Sequence, residues 1–413
     1  MSSLAISYRP RKAAGATGAA PDRERRTRRK VSATWSLLFL NALTYYSGMS
    51  FLPIPSVLGK LITQGALAGA FLMALSVNRR LLVRPNVFLC LVSLLVIEAV
   101  VTSLDPQYLG TLYRTFRLAG FVATLWLLTP WWGRRDLLLV RCHLRLLMAA
   151  LGSVLLGLLL APGHALEQGR LTGAVWPIPA TEVGHYAAIA TGLVVVLWLC
   201  GHLRGRVTLL VSLVAMTMLI LTHTRTALIG MVAGLLVAGL SLIAVKARVR
   251  KLFVAGGAIV SLAVVTGASV VTTWLARGEK GQELESLTGR TNFWILVLHL
   301  PRTRFQDIFG LGLTNGSIDG LPIDSNWLTA YLEQGLFGVV VCAAMLIFLF
   351  VVAFFQPPGA ARALALFLIT YSLVASFTQV GFADATTYLL EITLAASLVA
   401  SSPARKDAVR AHF

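Results

Sequence analysis

The chain has 413 residues, of which 57% are hydrophobic and 13% are charged, and its formal net charge is +19. Soluble globular proteins average about 25% charged residues, so this composition excludes an ordinary soluble domain and predicts a membrane protein. The basic excess does not indicate nucleic-acid binding, because most Lys and Arg residues lie in the N-terminal tail or in short linkers between apolar segments. That placement is typical of residues that set membrane topology and contact anionic lipids.

Residues 1–30 are polar and strongly basic, which predicts a disordered cytoplasmic tail. Apolar segments of roughly 20 residues, the length a helix needs to cross a bilayer, then follow one another over 31–275 and again over 325–401. The predicted fold is therefore all-α, a polytopic transmembrane helical bundle of about twelve spans. The predicted spans are 34–50, 56–77, 86–104, 111–129, 137–160, 181–200, 206–222, 225–245, 251–275, 325–355, 362–380 and 384–401.

The charges of the linkers predict how the bundle is oriented. With the N-terminus in the cytoplasm, every inner linker carries Arg or Lys, whereas the outer connections carry acids and scattered arginines. The positive-inside rule then places both termini, including the tail 402–413, on the cytoplasmic side. Residues 276–324 become one long external loop. Its apolar stretch 291–300 is too short to span a bilayer and predicts a helix that lies in the membrane interface.

Five arginines lie at the predicted outer boundary, where topology does not explain them and each needs a partner or a ligand. The most informative one is at the tip of the tight hairpin 222–226, where an ordinary turn would use Gly, Asn or Pro. Guanidinium groups bind phosphates bidentately, so the set predicts a diphosphate site. Contact with lipid headgroups, solvation or a plain polar turn is the alternative. The five residues are Arg114, Arg117, Arg170, Arg225 and Arg290.

A second set of polar residues follows the glycine-rich segment 310–320. Asp324 or Ser325 is placed to cap the tenth predicted span. Asn326 and Glu333 then belong to a polar stripe on one face of that helix, which should point into the bundle interior. Asp324 is also placed to act as a general base or to orient one, with simple capping as the alternative.

Three segments resemble motifs of the O-antigen ligase and O-antigen polymerase superfamily of bacterial envelope glycosyltransferases. They are TRTA at 224–227, GRTNFW at 289–294 and the glycine-, asparagine- and glutamate-containing run 310–338. The resemblance implies a metal-independent enzyme without a cofactor. Such an enzyme moves a glycan from undecaprenyl pyrophosphate to an acceptor hydroxyl, on a glycan or a lipid, at the outer face of the bacterial cytoplasmic membrane. It also implies that Arg225, Arg290 and Arg170 hold the donor's diphosphate. A polysaccharide polymerase, which differs from a ligase only in its acceptor, is the alternative within the superfamily.

The chain departs from the ligase pattern at one position. Ligases of this superfamily usually carry a histidine just before the asparagine of the third motif, and this chain has Ser325 there. A serine hydroxyl is a poor base, so Asp324 is the predicted replacement. His185 and His223 are further candidates for a supporting role.

A secondary transporter or flippase is the competing interpretation, since such proteins also have about twelve spans. It would use Glu98 and Glu391, which are acids inside apolar spans. The clustering of polar residues at one predicted face and the length of the external loop favour the transferase.

Overall fold

The computed structural model describes residues 19–43, 51, 55–104, 111–134, 136–167, 169–252, 290–314, 317–318, 321–379 and 381–400. Helices dominate these residues. They are α1 (Ala19–Ala42), α2 (Ser56–Val77), α3 (Val87–Ser103), α4 (Leu112–Leu128), α5 (Leu138–Leu160), α6 (Pro162–Ala165), α7 (Ala180–Leu199), α8 (Gly205–Leu221), α9 (Arg225–Leu242), α10 (Arg290–Leu298), α11 (Arg304–Phe309), α12 (Asn326–Phe354), α13 (Ala360–Ala375) and α14 (Thr387–Val399). Two antiparallel hairpins pair β1 (Leu166–Glu167) with β2 (Arg170–Leu171) and β3 (Ser317–Ile318) with β4 (Leu321–Pro322).

Five of the described helices, α2, α5, α7, α9 and α12, are long and apolar enough to cross a membrane. The helices α3, α8, α13 and α14 are shorter but also apolar. An all-α fold with several helices fit to cross a bilayer is therefore confirmed, whereas a bundle of about twelve spans goes beyond what these helices show. The predicted span 251–275 lies outside the described residues from 253 onward, as does the tail 402–413.

The start of the chain differs from the prediction. Because α1 begins at Ala19, residues 19–30 are helical, and the prediction of a disordered tail is wrong for them; residues 1–18 lie outside the described part. Arg28 pairs with Glu24 one turn earlier at 3.0 Å and with Asp136, which precedes α5, at 3.2 Å. An i, i+4 ion pair supports a helix, and the second pair joins this basic helical segment to the bundle.

The helix α7 forms the centre of the bundle. Of its apolar 18-residue stretch, 83% is buried, and α5, α8, α9 and α13 pack around it. The pair α9 and α13 comes very close because Gly230 and Gly234 have no side chain. A Cβ atom on Gly234 would lie 2.9 Å from the carbonyl oxygen of Phe367. Small residues four positions apart allow membrane helices to pack this tightly.

The helix α12 is broken at Gly335, whose φ of 62° and ψ of −162° are not helical. The break frees the carbonyl groups of Leu332 and Glu333, which in an unbroken helix would accept hydrogen bonds from residues four positions later. The N–H groups of Leu311 and Gly312 donate to these two carbonyls instead, both at 2.9 Å. The segment after α11 is thus hydrogen-bonded into the break, and the predicted span 325–355 is a broken helix.

The predicted external loop 276–324 is described from residue 290, apart from 315–316 and 319–320. It contains α10, which confirms the prediction of a helix within the apolar stretch 291–300. It also contains α11, whose start is stabilised by a capping box between Thr303 and Gln306. The predicted position of α10 in the membrane interface stays a prediction.

Arg302 fastens this loop to the bundle. Its guanidinium donates to the carbonyl of Val297 at the end of α10 at 3.2 Å and to the carbonyl of Tyr331 on α12 at 3.1 Å. The same group lies over the ring of Tyr331, 4.4 Å from its centre. A small apolar cluster of Val297, Ile323 and Leu332 lies beneath these contacts, so the loop is held by both charge and packing.

Candidate functional site

Most of the predicted site residues lie at one end of the bundle, which we name the arginine end. It is formed by the starts of α4, α7, α9, α12 and α14 and by the connections that lead into them. Hydrogen bonds between these connections hold the end together, so residues far apart in the chain meet there.

Two of the predicted diphosphate ligands meet at the hairpin between α8 and α9. Arg225 is the first residue of α9 and is half-buried. Arg170, on the β2 strand, donates from Nε to the carbonyl oxygen of Thr222 at 3.0 Å. His223 at the tip has a φ of 53°, a left-handed conformation that histidine adopts more readily than most residues. The structure therefore brings Arg170 and Arg225 to the same hairpin.

The hairpin packs directly on the start of α7. A Cβ atom on Gly184 would lie 2.7 Å from the hydroxyl oxygens of both Thr222 and Thr224. The Thr224 hydroxyl also donates to the carbonyl of Ala180 at 3.4 Å. The absence of a side chain at Gly184 thus sets how closely the hairpin approaches α7.

A short connection after α13 links this hairpin to the start of α12. The hydroxyl of Thr378 donates to the hydroxyl of Thr226 at 2.7 Å, and the carbonyl of Ser376 accepts from the N–H of Asn326 at 2.9 Å. Ser325 occupies the N-cap position of α12, as predicted, but its side chain makes no capping hydrogen bond. Asp324 is half-buried immediately before it. The predicted catalytic pair and the arginine hairpin thus belong to one hydrogen-bonded unit.

Asn326 and Glu333 are both buried, as the polar stripe predicted. The Oδ1 atom of Asn326 accepts from the N–H groups of Gly381 at 3.2 Å and Phe382 at 2.8 Å. The Oε1 atom of Glu333 accepts from the N–H of Thr314 at 2.9 Å and from its hydroxyl at 3.3 Å. These contacts give both residues a structural role, which is to hold neighbouring connections onto α12.

Arg114 and Arg117 share a protein partner that their own sequence segment does not indicate. Asp384, just before α14, lies 3.6 Å from Arg114 and 3.8 Å from Arg117. The Nη2 atom of Arg117 also donates to the carbonyls of Asn41 at 3.1 Å and Ala385 at 2.6 Å. These contacts give Arg117 partners within the protein, and its predicted contact with a diphosphate stays a prediction. An acid between two apolar segments is a sequence signal for such a partner. The predicted span 384–401 hid this signal, because it included Asp384 as its first residue.

Arg290 is the first residue of α10, as predicted, and its side chain lies outside the described residues. Its predicted contact with the donor's diphosphate stays a prediction.

His185 lies inside the bundle. Its Nδ1 atom is 2.8 Å from the hydroxyl of Tyr371, its Nε2 atom is 3.0 Å from Glu391 Oε1, and its ring stacks on Tyr388 at 3.9 Å between centres. All four side chains are buried. His185 therefore makes its contacts within the core of the bundle, and its predicted supporting role stays a prediction.

Glu391 also faces a second histidine, His143. The Nε2 atom of His143 lies 3.8 Å from Glu391 Oε1. On the other side of this ring, Trp35 Nε1 is 3.4 Å from His143 Nδ1. An indole N–H can only donate a hydrogen bond, so Nδ1 of His143 must accept. The ring proton of a neutral His143 is therefore on Nε2, which faces Glu391. The sequence indicated Glu391 but gave no sign of its two histidine neighbours.

No model of a known protein family matches the chain, and a search of curated proteins finds no significant relative. The fold and the arrangement of charges define a helical protein with several helices apolar enough to cross a membrane and a polar, arginine-containing end. The resemblance to envelope glycosyltransferases therefore rests on the three sequence motifs and enters below as a proposal.

Proposed function

We propose that the chain is an O-antigen ligase-like glycosyltransferase of the bacterial cytoplasmic membrane. In this proposal it transfers a glycan from undecaprenyl pyrophosphate to an acceptor hydroxyl on the outer side, and both termini are cytoplasmic. The acceptor is a glycan or a lipid, and a polymerase would differ only in that acceptor. The reaction needs no metal in this proposal, because arginines take the role of the cation at the diphosphate.

The observation that carries the proposal is the convergence of three predicted site segments at the arginine end. Arg170 reaches the hairpin that Arg225 begins. The same hairpin is hydrogen-bonded through Thr226 and Thr378 to the connection that holds the start of α12, beside Asp324. Guanidinium groups and a carboxylate from three separate parts of the chain thus belong to one end of the bundle, although the spacing of the motifs did not require it.

The chemistry of glycosyl transfer from a lipid diphosphate suits such an arrangement. Negative charge grows on the leaving diphosphate as its bond to the anomeric carbon breaks. Fixed cationic donors in a site of low dielectric stabilise that charge without having to reorganise. In the proposed mechanism Arg225, Arg170 and Arg290 hold the diphosphate, and Asp324 accepts the proton of the acceptor hydroxyl, with Ser325 beside it as a hydrogen-bonding group. A positioned base contributes about 10²–10⁴-fold in rate.

The proposal is tested with the purified chain in nanodiscs, supplied with an undecaprenyl-pyrophosphate-linked glycan and an acceptor extract. Release of undecaprenyl pyrophosphate is followed for the wild type, Arg225→Ala, Arg290→Ala and Asp324→Asn. Arg204→Ala is the matched control, because Arg204 is exposed and lies at the opposite end of the same helix pair α8 and α9. We expect the three site variants to lose release by at least about 100-fold and the control to keep it.

Two results would refute the proposal. The first is an absence of undecaprenyl pyrophosphate release by a folded wild-type protein that binds the donor. The second is a loss of release in Arg204→Ala as large as in Arg225→Ala, which would show that charge in general matters and not the arginine end.

A proton-coupled transporter is the second candidate, and one observation favours it. Glu391 lies between His185 and His143 inside the bundle, and ionisable groups of this kind inside membrane helices often form proton relays. Uptake or efflux in proteoliposomes that follows an imposed proton gradient, and that Glu391→Gln abolishes, would support transport. The same assay without any gradient dependence would leave the transferase as the stronger proposal.

A further inference from the structure

Two helices bury acidic side chains against each other away from the arginine hairpin. Glu98 on α3 is 3% exposed and Glu333 on α12 is 2% exposed. The helices α3 and α12 pack together, and the two carboxylates are close enough to interact electrostatically. Carboxylates inside an apolar bundle carry a large desolvation cost unless something balances them.

The two acids differ in what balances them. Glu333 Oε1 receives two hydrogen bonds from Thr314. In contrast, both carboxylate oxygens of Glu98 are buried and have no hydrogen-bond donor among the residues that the structure describes. The neighbouring hydroxyl of Thr102 donates to the backbone oxygen of Glu98 at 3.1 Å. Among the described residues, the carboxyl group of Glu98 therefore has no hydrogen-bonding partner that would offset its burial.

Gln334 brings a third oxygen to the same layer. The residue is fully buried, and its Nε2 atom lies 3.5 Å from the carbonyl oxygen of Leu95, one helical turn before Glu98 on α3. Positions three apart lie on the same face of a helix, so the amide faces the surface of α3 that carries Glu98. The Oε1 atom of Gln334 is buried with no donor among the described residues.

The break in α12 gives this amide its place. Gln334 immediately precedes Gly335, where the helix is interrupted. A Cβ atom on Gly338 would lie 3.1 Å from Gln334 Oε1, so the glycine leaves room for the amide oxygen. Interrupted membrane helices are a known setting for bound alkali cations, since they direct polar groups into the bundle at mid-height.

We propose that Glu98, Glu333 and Gln334 form a binding site for a monovalent alkali cation, Na⁺ or K⁺. Two oxygens of Glu98 and one of Gln334 have no donor within the described part of the chain. Oxygen atoms of this kind are the ligands that a hard cation prefers. A bound cation would favour the ionised form of Glu98, whose oxygens receive no hydrogen bond from the described residues, and Glu333 lies close enough to interact with it electrostatically. A proton on Glu98 would supply one donor and leave the other acceptors unsatisfied. The site does not depend on the proposed glycosyl transfer.

The test compares the thermal unfolding of the full chain in detergent in NaCl, KCl and choline chloride at equal ionic strength and fixed pH. A ligand that binds only the folded state raises its stability as RT ln(1 + [L]/Kd). We expect a saturable rise in Tm with at least one alkali chloride and none with choline. Glu98→Gln should abolish the rise. Glu391→Gln, which removes a buried carboxylate elsewhere in the bundle, should keep it.

A second measurement covers the case in which Glu98→Gln does not fold. Equilibrium binding of radioactive sodium, and of rubidium as a tracer for potassium, is measured on the wild type and on Gln334→Met, which keeps both acids. We expect saturable binding to the wild type and an affinity at least about tenfold lower in Gln334→Met, since one of the three unpaired oxygens is gone. Equal Tm in all three salts together with no saturable binding would overturn the proposal, and a protonated Glu98 would then account for the layer.

Discussion

Gly335→Ala should release the segment 304–314 from α12. The glycine has a φ of 62° and a ψ of −162°, a conformation that is essentially restricted to glycine. An added Cβ atom would also lie 2.4 Å from the backbone carbon and oxygen of Ile308, which cannot move without shifting α11. The substitution therefore acts on the contact between the break and α11, while leaving the rest of α12 free to remain helical.

The expected cost follows from these contacts. A residue other than glycine in this backbone region costs roughly 1–3 kcal/mol. Separation of the segment gives up the two backbone hydrogen bonds from Leu311 and Gly312 to the broken helix in the wild type and in the variant alike, so they do not change the difference between the two proteins. The strain that alanine adds to the closed state, roughly 1–3 kcal/mol, should therefore increase opening of the segment by about 5–150-fold.

Hydrogen exchange measured by mass spectrometry on peptides from 304–314 is the direct assay, with limited proteolysis at the same segment as a second readout. Gly152→Ala on α5 is the matched control, because a Cβ atom at Gly152 would meet nothing within 4 Å. Alanine is a better helix former than glycine by about 1 kcal/mol, so the control should exchange as slowly as the wild type. Unchanged protection of 304–314 in Gly335→Ala would refute the reasoning.

Three further changes test other contacts. Asp384→Asn removes the carboxylate shared by the two arginines of α4, at 3.6 and 3.8 Å and with partly exposed side chains. It should destabilise the protein by about 1–3 kcal/mol in thermal unfolding, between the values for exposed and for buried ion pairs; an unchanged Tm would show that these ion pairs contribute nothing. Gly234→Ala should lower Tm strongly, because its Cβ atom would meet the backbone oxygen of Phe367 at 2.9 Å; a Tm equal to that of the wild type would contradict this packing. Nitrogen-15 NMR of labelled histidine should find the ring proton of His143 on Nε2, and Trp35→Phe should shift the Nδ1 resonance by removing its donor; a proton on Nδ1 of the wild type would contradict the assignment.

Hydropathy predicted the helices well where the length of an apolar segment alone marks the helix. The predicted span 137–160 and the helix α5 agree within one residue, as do 86–104 and α3. Apolar length is a local property, so a window along the chain detects it. The same window could not detect that 19–30 is helical, because that helix is supported by an ion pair with Asp136 from another part of the chain.

The sequence selected the candidate site residues by type, and the structure adds the protein contacts of several of them. The arginines were selected because a charged group at an apolar boundary needs a partner, and that reasoning is sound. For Arg117 the partner is Asp384 and two backbone carbonyls, which lie elsewhere in the chain. For Arg170 the contact is the hairpin that begins α9. Sequence alone does not distinguish a protein partner from a ligand, since both satisfy the same charge.

The sequence by itself determined that this is a helical protein with apolar, bilayer-length segments, because hydrophobic burial is a sum over neighbouring residues. It also determined which charged and polar side chains lie in apolar segments and therefore need a partner. Only the tertiary structure decided which partner each of them has. The break at Gly335, the pairing of Asp384 with α4, the histidines around Glu391 and the facing of Glu98 by Gln334 all join residues distant in the chain. Such pairings depend on which helix faces meet, and no local pattern contains that information.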